Sequence, residues 1–293
     1  MKPALFEYQR PESIAGVLAL LAERGENAKI IAGGQSLVPM MNLRMARPDV
    51  VIDINRLPDL DYHRIEAGEL VIGALARHED LFASAVVSKA APLMHLAYRY
   101  VAHSPIRNRG TLCGNLCHAD PASEMPAVVQ ALGATLVLKS MAGERRIAAT
   151  AFFQGTYLTD LRPDEMLVEV RIPVSRDCHG VGFHEVSIRK GDFAIVAVCA
   201  QVAVSADALS AAHIAVCGVG SRSVRLESAE RALVAAAAKI DKISLAAVIE
   251  TASKIAAQSV TPQDDVNGTA AYRRDLVRVL THRALSDAVS KFI

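Results

Sequence analysis

The sequence predicts an α+β protein built in two units, and three observations carry the prediction. Short apolar runs alternate with helical patterns as far as Pro173. A polar, turn-rich stretch from Pro173 to Gly182 then interrupts the pattern and is the best candidate boundary. Beyond it come three strand-like runs and then three helical segments, the order of an antiparallel sheet covered by helices. A chain of 293 residues is long enough for two cores. The expected division is 1–175 and 180–293, with subdomains of about 1–58 and 59–175 in the first unit.

In the first unit, Ser13 suits the N-cap of a helix from Ile14 to Arg24. Its apolar residues Val17, Leu18, Leu20 and Leu21 recur at helical spacing, and Gly25 is a natural stop. Ala28 to Ala32 is an apolar run that reads as a buried strand ending in Gly33-Gly34, and Val50 to Ile54, after Pro48, reads as a second. The order is βαβ-like but lacks the spacing of the usual dinucleotide-binding motif. Further on, Glu69 to Gly73 and Thr135 to Lys139 read as strands and Glu124 to Leu132 as a helix. Met166 to Ile172 alternates Val168, Val170 and Ile172 with Glu169 and Arg171, which predicts a strand with one exposed face.

In the second unit, Gly182 to Ile188, Ala194 to Val204 and Ala211 to Val219 read as three antiparallel strands, with Gly218 and Gly220 closing the third. Alanine-rich helices are expected over Ser228 to Lys239 and Ser244 to Ser259. A loop with Pro262, Asp264, Asp265 and Gly268 then leads to a final helix from about Ala270 to Ser290.

Composition excludes several function classes. With 52% hydrophobic and 22% charged residues the chain reads as globular rather than disordered. The net charge of +1 leaves no basic excess for nucleic acid. No run reaches the roughly 18 apolar residues of a transmembrane helix, and the opening MKPALFEYQRPES has no apolar signal core. A cytoplasmic protein is expected. Five widely spaced cysteines agree with a reducing compartment and argue against a disulfide framework. Aromatics are only 4% of residues, so a large ligand would be held by backbone and small side chains.

Two segments carry donor chemistry. The first, Ala32-Gly33-Gly34-Gln35-Ser36, directly follows a strand. Paired glycines let backbone approach a ligand and turn successive N–H groups toward it, which suits a phosphate or pyrophosphate; an ordinary tight turn is the other reading. No Gly-Lys-Ser/Thr follows and the third glycine of the Rossmann fingerprint is absent. The second segment runs from Arg107 to Glu124 and offers Thr111, Asn115, Ser123 and the N–H groups near Gly110 and Gly114. Glu124 opens a helix, where the dipole favours a carboxylate, and could accept from a sugar hydroxyl. Two such loops about eighty residues apart suit a bulky dinucleotide, which needs contacts from several segments.

The segments AGGQSL, MMNLRMARPDVVIDINRL and RNRGTLCGNLCHADPASEMPAVVQALGA, together with IRKGDFAIV, resemble the flavin-binding regions of the FAD (medium) subunits of molybdenum hydroxylases. That family includes the medium subunits of carbon monoxide dehydrogenase and quinoline oxidoreductase and the FAD domain of xanthine dehydrogenase. The resemblance covers nearly the whole chain. It implies an FAD-binding fold of the p-cresol methylhydroxylase type, two α+β subdomains, followed by a C-terminal three-stranded antiparallel sheet with a helical layer. It implies one non-covalent FAD on this chain, with the molybdenum cofactor on a large subunit and 2Fe-2S clusters on a small one. Electrons would pass from those clusters through FAD to an external acceptor. The assembly would be a dimer of heterotrimers, and the substrate, an N-heterocycle by the nearest resemblance, would be oxidised on the large subunit.

Residue by residue, the resemblance places Lys29, Ile30, Ile31, Ala32, Gly33, Gly34, Gln35, Ser36 and Leu37 along the ADP and pyrophosphate part of FAD. Thr111, Leu112, Cys113, Gly114 and Asn115 lie on the second side, and Glu124 matches a position that touches the ribityl chain. Cys113 departs from the family's glycine, so its side chain must find room beside the cofactor. Val101 and Leu167 match flavin-lining positions, and Phe193 a residue lying against the isoalloxazine ring. Lys190 and His184 fall near a position where a cation would stabilise reduced flavin.

Cys113, Cys117 and His118 form a C-x3-C-H run, one residue too long for haem attachment and without the further ligands of a zinc or iron–sulfur site, so they read as small packing groups. His78, His95 and His103 read as surface or capping residues. No catalytic residue and no metal site is expected on this chain. Two other functions use the same features: a stand-alone flavin reductase of the same fold, and a flavin-free structural subunit made conceivable by Cys113.

Overall fold

The structure, a computed structural model, describes residues 1–176, 178–206, 208–237 and 242–293, the side chains of 242–244 excepted. Its α+β architecture is the one the sequence predicts. The first layer is a three-stranded parallel sheet in which Val50–Asp53 lies between Glu7–Gln9 and Ala28–Ile31. The helix Ile14–Arg24 makes the crossover. Ser13 Oγ caps it by accepting from Gly16 N, and Gly25 ends it at φ 55°, as its sequence signals require. Val17, Leu18 and Leu21 form its buried stripe.

A five-stranded antiparallel sheet follows, in the order His63–Glu66, Glu69–Gly73, Met166–Pro173, Thr135–Ser140, Gly143–Ala148. Met166–Pro173 is its central strand, which corrects the expected exposed face. Glu169 and Arg171 are instead enclosed by an ionic network: Tyr62 Oη donates to Glu169 at 2.6 Å, and Arg171 donates to Glu169 at 2.7 Å and to Glu69 at 2.9 Å. Short helices between residues 78 and 118 pack beside this sheet, whereas the helix Glu124–Ala131 packs on the sheet that follows.

The second unit is a sheet of three long strands, His179–Ser187, Ala194–Ser205 and Ala208–Cys217, with a two-residue fourth strand, Val224–Arg225, at its edge. His179–Ser187 starts inside the stretch read as a boundary. Alternation along these strands sends two sets of side chains to two cores. Phe183, Ala197, Cys199, Ala215 and Cys217 join the core of the first unit, whereas Val196, Val198, Ile214 and Val216 face the helices Glu227–Ala236, Lys242–Gln258 and Ala270–Ser290. Gly182 permits this packing, since a Cβ there would lie 2.0 Å from the Ala284 carbonyl oxygen of the last helix. The expected helix end at Lys239 and the side chain of Ser244 lie outside the described residues. Among the described residues no helix is long and apolar enough to cross a membrane.

Candidate functional site

The two donor-rich loops meet. The strand Ala28–Ile31 runs into Ala32-Gly33-Gly34, where Gly34 takes φ 71°, and the helix Leu37–Asn42 leaves on the other side. Among the described residues the N–H groups of Gly33, Gly34, Gln35, Ser36 and Leu37 have no acceptor within the chain. A run of free, half-exposed N–H groups is a nest for an anion. Lys29 and Gln35 are exposed; Ile30, Ile31, Ala32, Ser36 and Leu37 are half-buried.

Gly33 lies against the second loop. A Cβ at this position would sit 2.3 Å from the Arg109 carbonyl oxygen and 2.7 Å from Gly110 Cα. Its smallness therefore serves loop-on-loop packing. In the second loop, Thr111 Oγ1 accepts from Gly114 N at 3.1 Å and caps the helix Leu112–His118. Gly114 is exposed on the first turn of that helix. Asn115 and Ser123 bond each other at 2.9 Å, which ties the start of this helix to the segment before Glu124. Cys113 is buried in the core, and burial pushes its thiol well up, with Cys117 contributing. Its side chain is accommodated among core residues such as Leu112 and Leu116 rather than occupying the loop surface.

A seam of polar contacts missed from the sequence joins the loops from behind. Asp53 Oδ1 accepts from Asn55 N at 2.8 Å and from Asn55 Nδ2 at 2.7 Å, and Asn55 Nδ2 also donates to the Ala32 carbonyl at 2.7 Å. Arg77 Nη2 donates to Asn55 Oδ1 at 2.7 Å, and Nη1 donates to the Arg109 carbonyl at 2.5 Å. His78 N donates to the Gly110 carbonyl at 3.0 Å alongside. The Asp53–Asn55 pair is local, but nothing local announces its partners, because the bonds from Asn55 to Ala32, from Arg77 to Asn55 and Arg109, and from His78 to Gly110 each span twenty or more positions.

At the far end the second unit closes on the same region. Ala194 N donates to the Ala122 carbonyl at 3.3 Å and Gly218 N to that of Pro121 at 2.8 Å. The turn carrying Lys190 and Phe193 packs on the 102–103 segment, next to buried Val101, and leaves Lys190 exposed and Phe193 54% exposed. Leu167 is buried in the core on the central strand of the five-stranded sheet. Glu124 is buried; burial first, and then the charge of Glu185, push its carboxyl up to about 8, so the group is largely protonated at neutral pH rather than the carboxylate expected. Burial likewise pushes Glu185 up to about 7, with Ser187 and Glu124 beside its carboxyl acting the other way, and both its oxygens are shut from solvent.

Two histidine readings are corrected. His184 points to the opposite face of its strand, where Nε2 lies 2.8 Å from Asp287 Oδ2, so it belongs to the helical layer. His78 is buried against Tyr98, with Nδ1 3.3 Å from the Tyr98 hydroxyl, and burial lowers it to about 4. His95 is half-buried with Nδ1 unpartnered, and only His103 is a surface group. His118 stacks on Tyr157, and all five cysteines are free thiols. No cluster of three or more metal-ligating side chains occurs among the described residues.

Residues 4–175 match the FAD binding domain in molybdopterin dehydrogenase, and residues 182–288 match the CO dehydrogenase flavoprotein C-terminal domain. The chain is 39% identical to the 6-hydroxypseudooxynicotine dehydrogenase complex subunit alpha of Paenarthrobacter nicotinovorans, over 99% of this chain and 97% of that protein. It superposes on a chain of carbon monoxide dehydrogenase from Hydrogenophaga pseudoflava with TM-score 0.94 and 36% identity, covering 99% of both. Quinoline 2-oxidoreductase from Pseudomonas putida 86 gives TM-score 0.91 and 35% identity, covering 100% of both chains.

Proposed function

The chain belongs to the FAD-binding medium subunits of the molybdenum hydroxylase family, and on that premise we propose that it is the electron-relay subunit of a multi-subunit hydroxylase. It takes electrons from 2Fe-2S clusters on a small subunit and passes them to an external acceptor. The substrate is oxidised on a large subunit that carries the molybdenum cofactor. An N-heterocyclic substrate is supported by the pyridine ring of 6-hydroxypseudooxynicotine and by quinoline, in the names of two relatives. The assembly proposed is a dimer of heterotrimers in the cytoplasm. Within the chain the proposed division is 1–175 for FAD and 180–293 for the C-terminal domain.

The observation that carries this reading is the donor set. Five consecutive free N–H groups, Gly33 to Leu37, stand beside a second loop held against them by Gly33 and Arg109. This suits the diphosphate of FAD, with Lys29 to Leu37 on one side and Thr111 to Asn115 on the other. Glu124, kept largely neutral, can both donate and accept at a sugar-like hydroxyl. Val101 and Leu167 supply an apolar wall, and Phe193 and Lys190 border the site from the second unit. Bound FAD supplies redox chemistry, accepting and releasing electrons, that no side chain provides. Cys113 and Cys117, with thiols pushed up by burial, are poor nucleophiles, in keeping with a non-covalent flavin.

The test is to express the chain alone, load it with FAD and add candidate N-heterocycles without oxygen. The flavin should stay oxidised, because no substrate site is on this chain. It should then bleach once the large and small subunits are restored. Bleaching with this chain alone would mean that it holds a substrate-oxidising site and would overturn the relay reading, and a folded protein that binds no FAD would favour a structural subunit.

A further inference from the structure

The seam behind the two loops carries an inference of its own. Asn55 follows the central strand of the parallel sheet, Arg77 precedes the helix His78–Ala83, and Arg109 lies in the second loop. Asn55 cannot rotate freely, because Asp53 Oδ1 holds both its backbone N–H and its side-chain amide, and Tyr8 Oη in turn donates to Asp53 at 2.5 Å. With Nδ2 committed to Asp53 and to the Ala32 carbonyl, Asn55 Oδ1 is the acceptor that faces Arg77. The guanidinium spans from there to the Arg109 carbonyl. Both of its placed bonds go to neutral oxygens, and no carboxylate lies within ion-pair distance of Arg77 among the described residues. Its charge is thus not tied up in a direct ion pair; Asp61, Asp80 and Asp53 act on it only at longer range. The contact between Gly33 and the Arg109–Gly110 backbone sits on the same seam.

We propose that Asn55 and Arg77 are positioning residues for the dinucleotide: they clip the Ala32–Leu37 loop to the Arg109–Asn115 loop at a fixed separation, and Arg77 adds a positive field for the diphosphate. Neither residue needs to touch the ligand. A planar guanidinium with two directed bonds fixes a spacing that a lysine ammonium does not. The inference rests on the reading that these loops hold FAD.

The test titrates FAD and, separately, riboflavin, which lacks the diphosphate, into the apo full-length chain. Wild type is compared with Asn55→Ala, Arg77→Met, Arg77→Lys and the double variant Asn55→Ala/Arg77→Met. FAD affinity should fall at least tenfold in Asn55→Ala and in Arg77→Met, while riboflavin affinity stays within about twofold of wild type. The double variant should lose less than the product of the two single losses, because one clip is broken twice. Arg77→Lys should be intermediate and keep the salt dependence of FAD binding that Arg77→Met loses. Unchanged FAD affinity in both single variants would overturn the proposal. So would losses that are equal for FAD and riboflavin and track a fall in apo melting temperature, since the clip would then only hold the fold. If Arg77→Met does not fold, Asn55→Ala and Arg77→Lys decide by the same criteria. Wild type that binds no FAD would defeat the underlying reading itself, a result visible before any variant is compared.

Discussion

At the scale of single residues, Gly33 has a second neighbour that the sequence reading did not include. Its glycine is expected for approach to a pyrophosphate, and the chain atoms a side chain would strike belong to Arg109 and Gly110. Gly33→Val should therefore part the two loops and cost FAD affinity at least tenfold, about 1.4 kcal/mol, as read by flavin titration of the folded protein. An unaltered affinity would mean that the loops do not need this contact. Glu124 and Glu185 make a second residue-scale case. Their carboxyls rise to about 8 and about 7 from a reference of 4.5, so the fold prefers them protonated. The unfolded chain releases these protons at lower pH. Their favourable contribution is thus full below pH 4.5 and is lost as pH climbs through 7 to 8. The melting temperature should fall between pH 6 and 9, and Glu185→Gln should flatten that fall; an equally steep fall in the variant would place the sensitivity elsewhere. Glu124 was legible because it opens a helix in a recognisable segment. Glu185 was not, since its significance arises only when a strand sixty residues away is laid beside that helix.

Elements differ in how plainly the sequence announces them. Ile14–Arg24 and Ala270–Ser290 lie where expected: Ser13, the cap read from the sequence, accepts from Gly16 N, and in the structure Thr269 accepts from Tyr272 N at the start of the last helix. The three long strands of the second unit also stood out through their apolar runs. Edge strands did not. His63–Glu66 and Gly143–Ala148 are mostly charged and largely exposed, and Val224–Arg225 has two residues, so none offers an apolar period to detect. The face of Met166–Pro173 was misjudged for a related reason: alternation of charged and apolar residues does not reveal that the charged side is roofed by Tyr62, Glu66 and Glu69. The packing of His179–Ser187 on the last helix gives a prediction at this scale. Gly182→Val would push a side chain into the Ala284 carbonyl and should destabilise the protein by about 1–3 kcal/mol or more, seen as a lower denaturation midpoint. A midpoint equal to that of the parent would show that the helix can withdraw at no cost.

At the scale of the whole molecule, the family assignment and the position of the donor loops were readable, whereas the relation between the two units was not. The stretch near Pro173 looks like a hinge between independent domains. Yet the sheet beyond it gives one face, with Phe183, Cys199, Ala215 and Cys217, to the core of the unit before it. Its other face is spent on the helices that follow. The strands form a party wall, finished on both sides and owned by neither room. Residues 1–175, taken alone, would be left with an open apolar flank along the helices Pro92–Ala97 and Glu124–Ala131, and with Glu124 uncovered beside it. Cutting the chain near Pro173 would therefore bare apolar surface on both pieces, and exchanging its halves between relatives means matching two surfaces, not one linker.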